Sequence, residues 1–211
     1  MLKVNEVFLG IQGESSHMGK PCVFVRLTGC DLDCVYCDTR YARAEGDDCR
    51  VEDVLARVEK FGCRLVNVTG GEPLLQPVSL VLMENLLARD YDVVLETNGA
   101  RDVSLVPRGV TKVVDIKCPG SGESDRCRYD NVHFLEKHDN VKFVIMNRKD
   151  YDWARSVMER FELARRCEVL FSPAWGWMEP RVLAEWIVDD VLPVRFQPQL
   201  HKYLWGDQRG K

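Results

Sequence analysis

Seven short β-branched runs alternate with segments of helical spacing, and this alternation points to a mostly parallel sheet with helices packed outside it. The runs are residues 23–28, 65–69, 93–97, 112–116, 141–146, 168–171 and 194–197, each bounded by Gly, Pro or polar residues. Between them, Val51, Val54, Leu55 and Val58, then residues 80–87, then Trp153, Val157 and Phe161, then Val182, Leu183, Trp186 and Ile187 recur at the spacing of one helical face. A closed eight-fold barrel takes about 250 residues. With 211 residues and short connections, the expected fold is α/β: a truncated, open TIM-like barrel with outer helices, a single domain over residues 1–211. No repeat, low-complexity segment or linker interrupts it.

Composition narrows the partners. A net charge of −4 with scattered Lys and Arg argues against a nucleic-acid surface or a polybasic membrane patch, and favours a small-molecule substrate. No stretch approaches 18 apolar residues, and Met1–Glu6 opens no leader-like apolar core, so the expected location is the cytoplasm. Nine cysteines in a reducing compartment read as metal ligands or buried thiols rather than as a disulfide framework.

The chemically unusual residues cluster just after the strand candidates: Gly29-Cys30, Gly70-Gly71-Glu72-Pro73, Asn98-Gly99, Lys117-Cys118-Pro119, Ser172-Pro173 and Gln199-Leu200-His201. In a parallel α/β sheet these positions converge on one rim, where active sites are built. The sharpest signal is Cys30-x3-Cys34-x2-Cys37. Three thiolates on one tight loop can ligate three irons of a [4Fe–4S] cubane and leave the fourth open, whereas fully ligated clusters use four cysteines. A structural zinc, with Cys49 or a distant cysteine as fourth ligand, is the alternative, though paired knuckles do not recur. The other cysteines read as buried or half-buried, Trp153, Trp177 and Trp186 as core, and His17, His133 and His138 as surface.

Cys30-x3-Cys34-x-Tyr36-Cys37 resembles the signature loop of the radical S-adenosylmethionine (SAM) superfamily. Gly70-Gly71-Glu72-Pro73 resembles the segment that binds the SAM methionine amino group, and Glu96-Thr97-Asn98-Gly99 the strand end beside the ribose, with Tyr36 against the adenine. More narrowly, Ile11-Gln12-Gly13-Glu14, Phe24-Val25-Arg26-Leu27, Cys37-Asp38-Thr39 and residues 197–203 are similar to the 7-carboxy-7-deazaguanine synthase family. That resemblance spans nearly the whole chain. It implies conversion of 6-carboxy-5,6,7,8-tetrahydropterin to 7-carboxy-7-deazaguanine with loss of ammonia, using the cluster, regenerated SAM and Mg²⁺. It further implies a flavodoxin- or ferredoxin-type electron donor and a homodimer.

The same resemblance implies residue roles. Ile11, Gln12, Gly13 and Glu14 would read the pterin, with the Glu14 carboxylate accepting from its guanine-like edge. Arg26 would pair with the substrate carboxylate through a guanidinium fork, and Thr39 would be a Mg²⁺ ligand. Thr69, Gly71 and His201 would make further substrate contacts. Tyr36, Gly71, Glu72, Glu96, Asn98, Lys117, Cys118, Pro119, Ser172, Pro173, Ala174 and Trp175 would contact SAM. Structural alternatives stay open for Glu14 as a surface turn, Arg26 as an ion pair, Thr39 as a helix cap and His201 as a hydrogen-bonded residue. In some family members a terminal carboxylate just beyond this histidine helps hold the substrate. Asp207 is the expected substitute here, with residues 208–211 loose. Two rival functions remain at this stage: a glycyl-radical-enzyme activase, and a non-enzymatic iron–sulfur or zinc protein.

Overall fold

The computed structural model describes residues 1–210. In chain order it contains β1 (Leu2–Ile11), β2 (Pro21–Leu27), β3 (Asp47–Cys49), α1 (Val51–Glu59), β4 (Leu65–Gly70), α2 (Val78–Leu87), β5 (Asp92–Thr97), β6 (Thr111–Asp115), β7 (Asn140–Ile145), α3 (Arg148–Arg160), α4 (Leu163–Arg166), β8 (Glu168–Pro173), α5 (Pro180–Asp189), β9 (Arg195–Phe196) and α6 (Leu200–Trp205). The strands form one sheet in the order β3-β1-β2-β4-β5-β6-β7-β8-β9, open at both edges. From β2 to β9 every pairing is parallel; β1 pairs antiparallel with both β2 and β3. This is the expected open partial barrel, extended at its first edge by two strands that the β-branched pattern did not mark.

The parallel strands from β2 to β8 are buried on both faces, as such sheets require, while the two-residue edge strand β9 is not. On the outer face, Val23, Val25, Val66, Val68, Val93 and Leu95 pack against Val54, Leu55 and Val58 of α1 and Leu82, Met83 and Leu86 of α2. The second half repeats this with Val141, Phe143, Val169 and Phe171 against α3 and α5. There Phe171 meets Phe143 and Tyr151 edge-on at 5.5 and 5.7 Å, a geometry worth about 0.5–1.5 kcal/mol per pair beyond burial. Trp153 and Trp186 pack on this core as expected. Trp177 does not: it lies in the turn between β8 and α5 and is 59% exposed.

β1 carries a bulge. Val4 pairs with Leu27 and Glu6 with the adjacent Arg26, so Asn5 is an extra residue in the ladder. Leu2, Val4 and Val7 all reach the helix-side core, which strict alternation would forbid. The extra residue shifts the parity and leaves Glu6 and Phe8 on the opposite face, beside Arg26 and Phe24. Among the described residues no helix is long and apolar enough to cross a membrane.

Candidate active site

The inner face of the sheet changes chemistry along the strands. Its lowest layer is apolar: Phe24, Leu65, Val94, Val113 and Leu170, with Phe8 packed on it. Two residues further along each strand stand Arg26, Asn67, Glu96, Asp115 and Ser172, with Lys142 on β7. The next step brings Asn98, Lys117 and Ala174 to the rim. All the residues of these two upper layers except Asn67 line one cavity, together with the cysteine loop and the chain that follows β1 and β9. Inward alternation therefore turns a hydrophobic floor into a polar chamber within two residues of strand.

One wall is built from backbone. Cys30, Cys34 and Cys37 all line the cavity, and no other cysteine among the described residues does. Their loop is laid against the end of β4: Glu72 N–H donates to the Gly29 carbonyl at 2.7 Å and Gly71 N–H to the Leu27 carbonyl at 3.1 Å. A Cβ on Gly71 would stand 2.1 Å from the Gly29 oxygen, so only glycine permits this approach. Arg43 and Arg40 secure the outside by donating to the carbonyls of Leu32 (2.6 Å) and Cys34 (3.3 Å). Among the described residues no three His, Cys, Asp or Glu side chains gather about a single-ion position, as a zinc site would need. Three separate cavity-facing thiols suit a cluster in which each holds its own iron.

Around this loop the structure places the other expected cofactor contacts unevenly. Tyr36 lines the cavity with its hydroxyl buried and unpartnered, and the Lys117 ammonium lies 6.0 Å from its ring centroid. An orphaned buried hydroxyl at this wall is what a bound polar cofactor could satisfy. Asn98 donates Nδ2 to Asp31 at 3.0 Å and lies 3.8 Å from Cys30 Sγ. Ser172, Ala174 and Trp175 line the cavity.

Glu72 requires correction. It has 0% exposure and is not a wall residue. Its carboxylate accepts from Leu74 N–H (2.8 Å), Thr97 Oγ1 (2.9 Å) and Asn98 N–H (2.6 Å). It ties β5 to the turn after β4. Burial outweighs these donors and pushes its pKa up to about 7. Cys118 is likewise buried in the second core, Pro119 is exposed at the start of a short 3₁₀ turn, and Pro173 faces the groove outside Trp175. None of the three lines the cavity.

The facing wall is built from charges. Lys142, buried on β7, donates Nζ to Glu14 Oε2 and lies 3.3 Å from Asp115 Oδ1; Lys117 donates to Asp115 Oδ2 at 2.8 Å. Gln199 donates to Glu14 Oε1 at 2.8 Å. Desolvation would raise the Glu14 pKa, but the Lys142 ammonium overrides it and holds the carboxyl down to about 2. Glu14 is thus a permanently ionised wall group rather than a surface turn. Gln12 spans the same corner: its Oε1 accepts from Glu14 N–H at 3.1 Å and its Nε2 approaches Glu96 at 3.5 Å. Glu96 also accepts from Asn67 (2.8 Å) and Thr69 (2.9 Å). Gly13 is needed for close approach, since a Cβ there would meet the His201 ring at 2.1 Å. His201 follows no strand directly; it stands in the first turn of α6 and lines the cavity.

Arg26 and Thr39 line the cavity as well. Arg26 donates Nε to Glu6 Oε1 at 2.7 Å, so it does form an ion pair, but one that engages a single edge of the fork. Thr39 precedes a 3₁₀ turn without capping it; its hydroxyl donates to Asp38 Oδ1 at 2.8 Å. Against the desolvation that would raise it, the Lys202 ammonium holds Asp38 below the usual carboxylate range.

Asp207 is misplaced by the sequence reading. Its side chain is 78% exposed, accepts from Lys202 Nζ at 2.8 Å and does not line the cavity. Within the tail, Arg209 packs against Tyr41, Glu6 and Glu45. Lys211 lies outside the described residues. Lys142, Asp115 and Glu6 were not singled out as site residues. A lone lysine within the apolar run Val141–Ile145 carried that signal, because a cation in a doubly buried strand must face a partner.

Comparison with known proteins places this geometry. A family model described as the radical SAM superfamily matches residues 24–114. A 7-carboxy-7-deazaguanine synthase of Koribacter versatilis is 41% identical over 97% of this chain and 97% of its own length. That of Chlorobaculum tepidum is 43% identical over 99% of this chain and 97% of its own. The crystal structure of QueE from Escherichia coli shares the fold, with a TM-score of 0.76 at 22% identity, covering 95% of this chain and 94% of that one. With such identities over almost the full length, the chain belongs to the 7-carboxy-7-deazaguanine synthase family of radical SAM proteins.

Proposed function

We propose that this chain, acting as one radical SAM unit over residues 1–211, converts 6-carboxy-5,6,7,8-tetrahydropterin to 7-carboxy-7-deazaguanine with loss of ammonia. It would be a carbon–nitrogen lyase on the route to queuosine and related 7-deazapurines, working in the cytoplasm as a homodimer. The observation that carries the reading is a single cavity lined by three cluster-type thiols on one side and by Glu14, Arg26 and His201 on the other.

Cys30, Cys34 and Cys37 would hold a [4Fe–4S] cluster, with Tyr36, Gly71, Glu96, Asn98, Lys117, Ser172, Ala174 and Trp175 around SAM. Once bound, these groups supply an electron and a SAM cleavage that start radical chemistry; an acidic electron carrier of flavodoxin or ferredoxin type is the expected donor. The chain's own residues bind and orient. Glu14, ionised at every physiological pH, accepts from the 2-amino and ring N–H groups of the pterin alongside Gln12. Arg26 presents the free end of its fork to the 6-carboxylate, and Thr69, Gly71 and His201 border the ring. Thr39 with Asp38 offers a hydroxyl and a carboxylate 2.8 Å apart, a donor set that suits Mg²⁺, which takes few protein ligands. The apolar floor of Phe24, Leu65, Val94 and Val113 closes the chamber to water from below.

The test is anaerobic incubation of reconstituted protein with SAM, dithionite, Mg²⁺ and 6-carboxytetrahydropterin. A deazapurine product with ammonia release is expected. SAM cleavage without any deazapurine would overturn the substrate assignment.

A further inference from the structure

Beyond α6 the chain returns to β1, and Arg209 binds there. Its guanidinium lies 4.0 Å from the Tyr41 ring centroid. Nη1 donates to Glu45 Oε2 at 3.0 Å, Nη2 to Asn5 Oδ1 at 3.1 Å, and Nε stands 3.5 Å from Glu6 Oε2. The other Glu6 oxygen, Oε1, accepts from Arg26 Nε at 2.7 Å and from the Tyr41 hydroxyl at 3.0 Å. Arg26 in turn lies between two rings, 5.8 Å from the Phe8 centroid and 5.9 Å from that of Tyr41. Glu6 and Tyr41 are therefore shared by two arginines, of which Arg26 lines the cavity and Arg209 does not.

This sharing has a chemical consequence. A carboxylate next to a lone guanidinium closes on it with both oxygens, because the bidentate fork is the favoured geometry. Such a pair, closing side-on from Nε, would also take an N–H of the neighbouring Nη group and weaken the pull of Arg26 on a second carboxylate. With Oε2 drawn toward Arg209, Glu6 engages only Nε of Arg26, and both Nη groups stay available to the cavity. We infer that Arg209 is a positioning residue for carboxylate recognition: by dividing Glu6 between two guanidinium groups, it keeps the fork of Arg26 open for the substrate's carboxylate. The inference rests on the role proposed above for Arg26.

Steady-state kinetics of the reconstituted enzyme separate the two. Arg26→Ala is expected to raise KM for the carboxylated pterin by about tenfold or more, as loss of a charge-assisted pair does. Arg209→Ala should raise it about three- to tenfold with kcat within about twofold of wild type, and Arg209→Lys should recover part of the loss. Competitive inhibition by the same tetrahydropterin without its carboxylate should be unchanged in both Arg209 variants. A raised KM in Arg26→Ala with wild-type KM in Arg209→Ala would overturn this inference and leave the Arg26 reading intact. Wild-type KM in both would remove both. An Arg209→Ala protein that binds the carboxylate-free pterin as poorly as the substrate has a generally disturbed cavity, which would also overturn the proposal.

Discussion

The two walls of the cavity are made by different means. The cysteine wall is held by main-chain contacts: Gly71 against Gly29, the Glu72 N–H on the Gly29 carbonyl, and the buried Glu72 carboxylate bracing two turns. The opposite wall is held by ionised side chains, Glu14 with Lys142 and Asp115 with Lys117. Backbone packing fixes position with no charge to satisfy, so that wall can accept an inorganic cluster as its own charge source. A wall of paired ions is already electrostatically loaded, and a ligand enters it only by exchanging partners. The first suits a resident cofactor; the second suits a polar substrate that must be recognised and then released.

The comparison can be broken at several points, beginning with the largest effect. Cys34→Ala should abolish iron content and SAM cleavage outright, whereas Cys167→Ala, in the second core, should keep full iron by colorimetric assay. Equal iron in both would end the assignment of the cysteine wall.

Lys142→Met leaves Glu14 as an uncompensated buried charge and should cost about 3–5 kcal/mol in urea unfolding. Adding Glu14→Gln should return most of that loss, since both charges are then gone. A double variant no better than the single would show that these ions do not act as a pair.

The two buried carboxyls give a subtler contrast, because they make stability change with pH in opposite directions. Glu72, raised to about 7, holds a proton in the folded state that the unfolded chain has released above about 4.5. Stability should therefore fall as pH rises between those values, by on the order of 3 kcal/mol at most. Glu14, lowered to about 2, contributes stability above pH 4.5 that is lost as pH falls toward 2. Urea midpoints taken across pH 4.5–7 should lose their downward slope in Glu72→Gln. An unchanged slope would assign it to other groups.

The smallest effect is expected at Asp207. Exposed and paired only with Lys202, it should give, as Ala, a stability within about 0.5 kcal/mol of wild type and an unaltered KM. A clear rise in KM would restore the tail carboxylate to the site.

The difference between the walls also explains what could be read in the sequence. The cysteine loop and Gly70-Gly71-Glu72 are contiguous motifs whose backbone demands show in residue type. Six of the seven parallel strands were legible for a similar reason, because a strand buried on both faces reads as an apolar, β-branched run; β9 is only Arg195–Phe196 at the edge. By contrast, Glu14 and Lys142 are 128 residues apart, and Glu6 meets Arg209 across nearly the whole chain. No local pattern announces such pairs. β3 is three residues, two of them Asp, which have low strand propensity. The burial of the Glu72 side chain was not legible either, because a motif names a residue but not the direction of its side chain. Trp177 was misread as core because it stands near helical spacing, but it lies in a turn that contains Gly176 and ends where Pro180 starts α5.

The bulge at Asn5 bears on how β1 is compared between relatives. Because Val4 and Glu6 already pair with adjacent residues of β2, a chain lacking the intervening residue would close into a regular ladder with the same glutamate beside Arg26. Residue counting along this strand is therefore a poor guide to equivalence, and gaps near position 5 should be placed so that facing is preserved. What a one-residue deletion would remove is the amide that donates to the Glu45 carbonyl at 2.8 Å and accepts from Arg209, leaving the pairing of β1 with β2 intact.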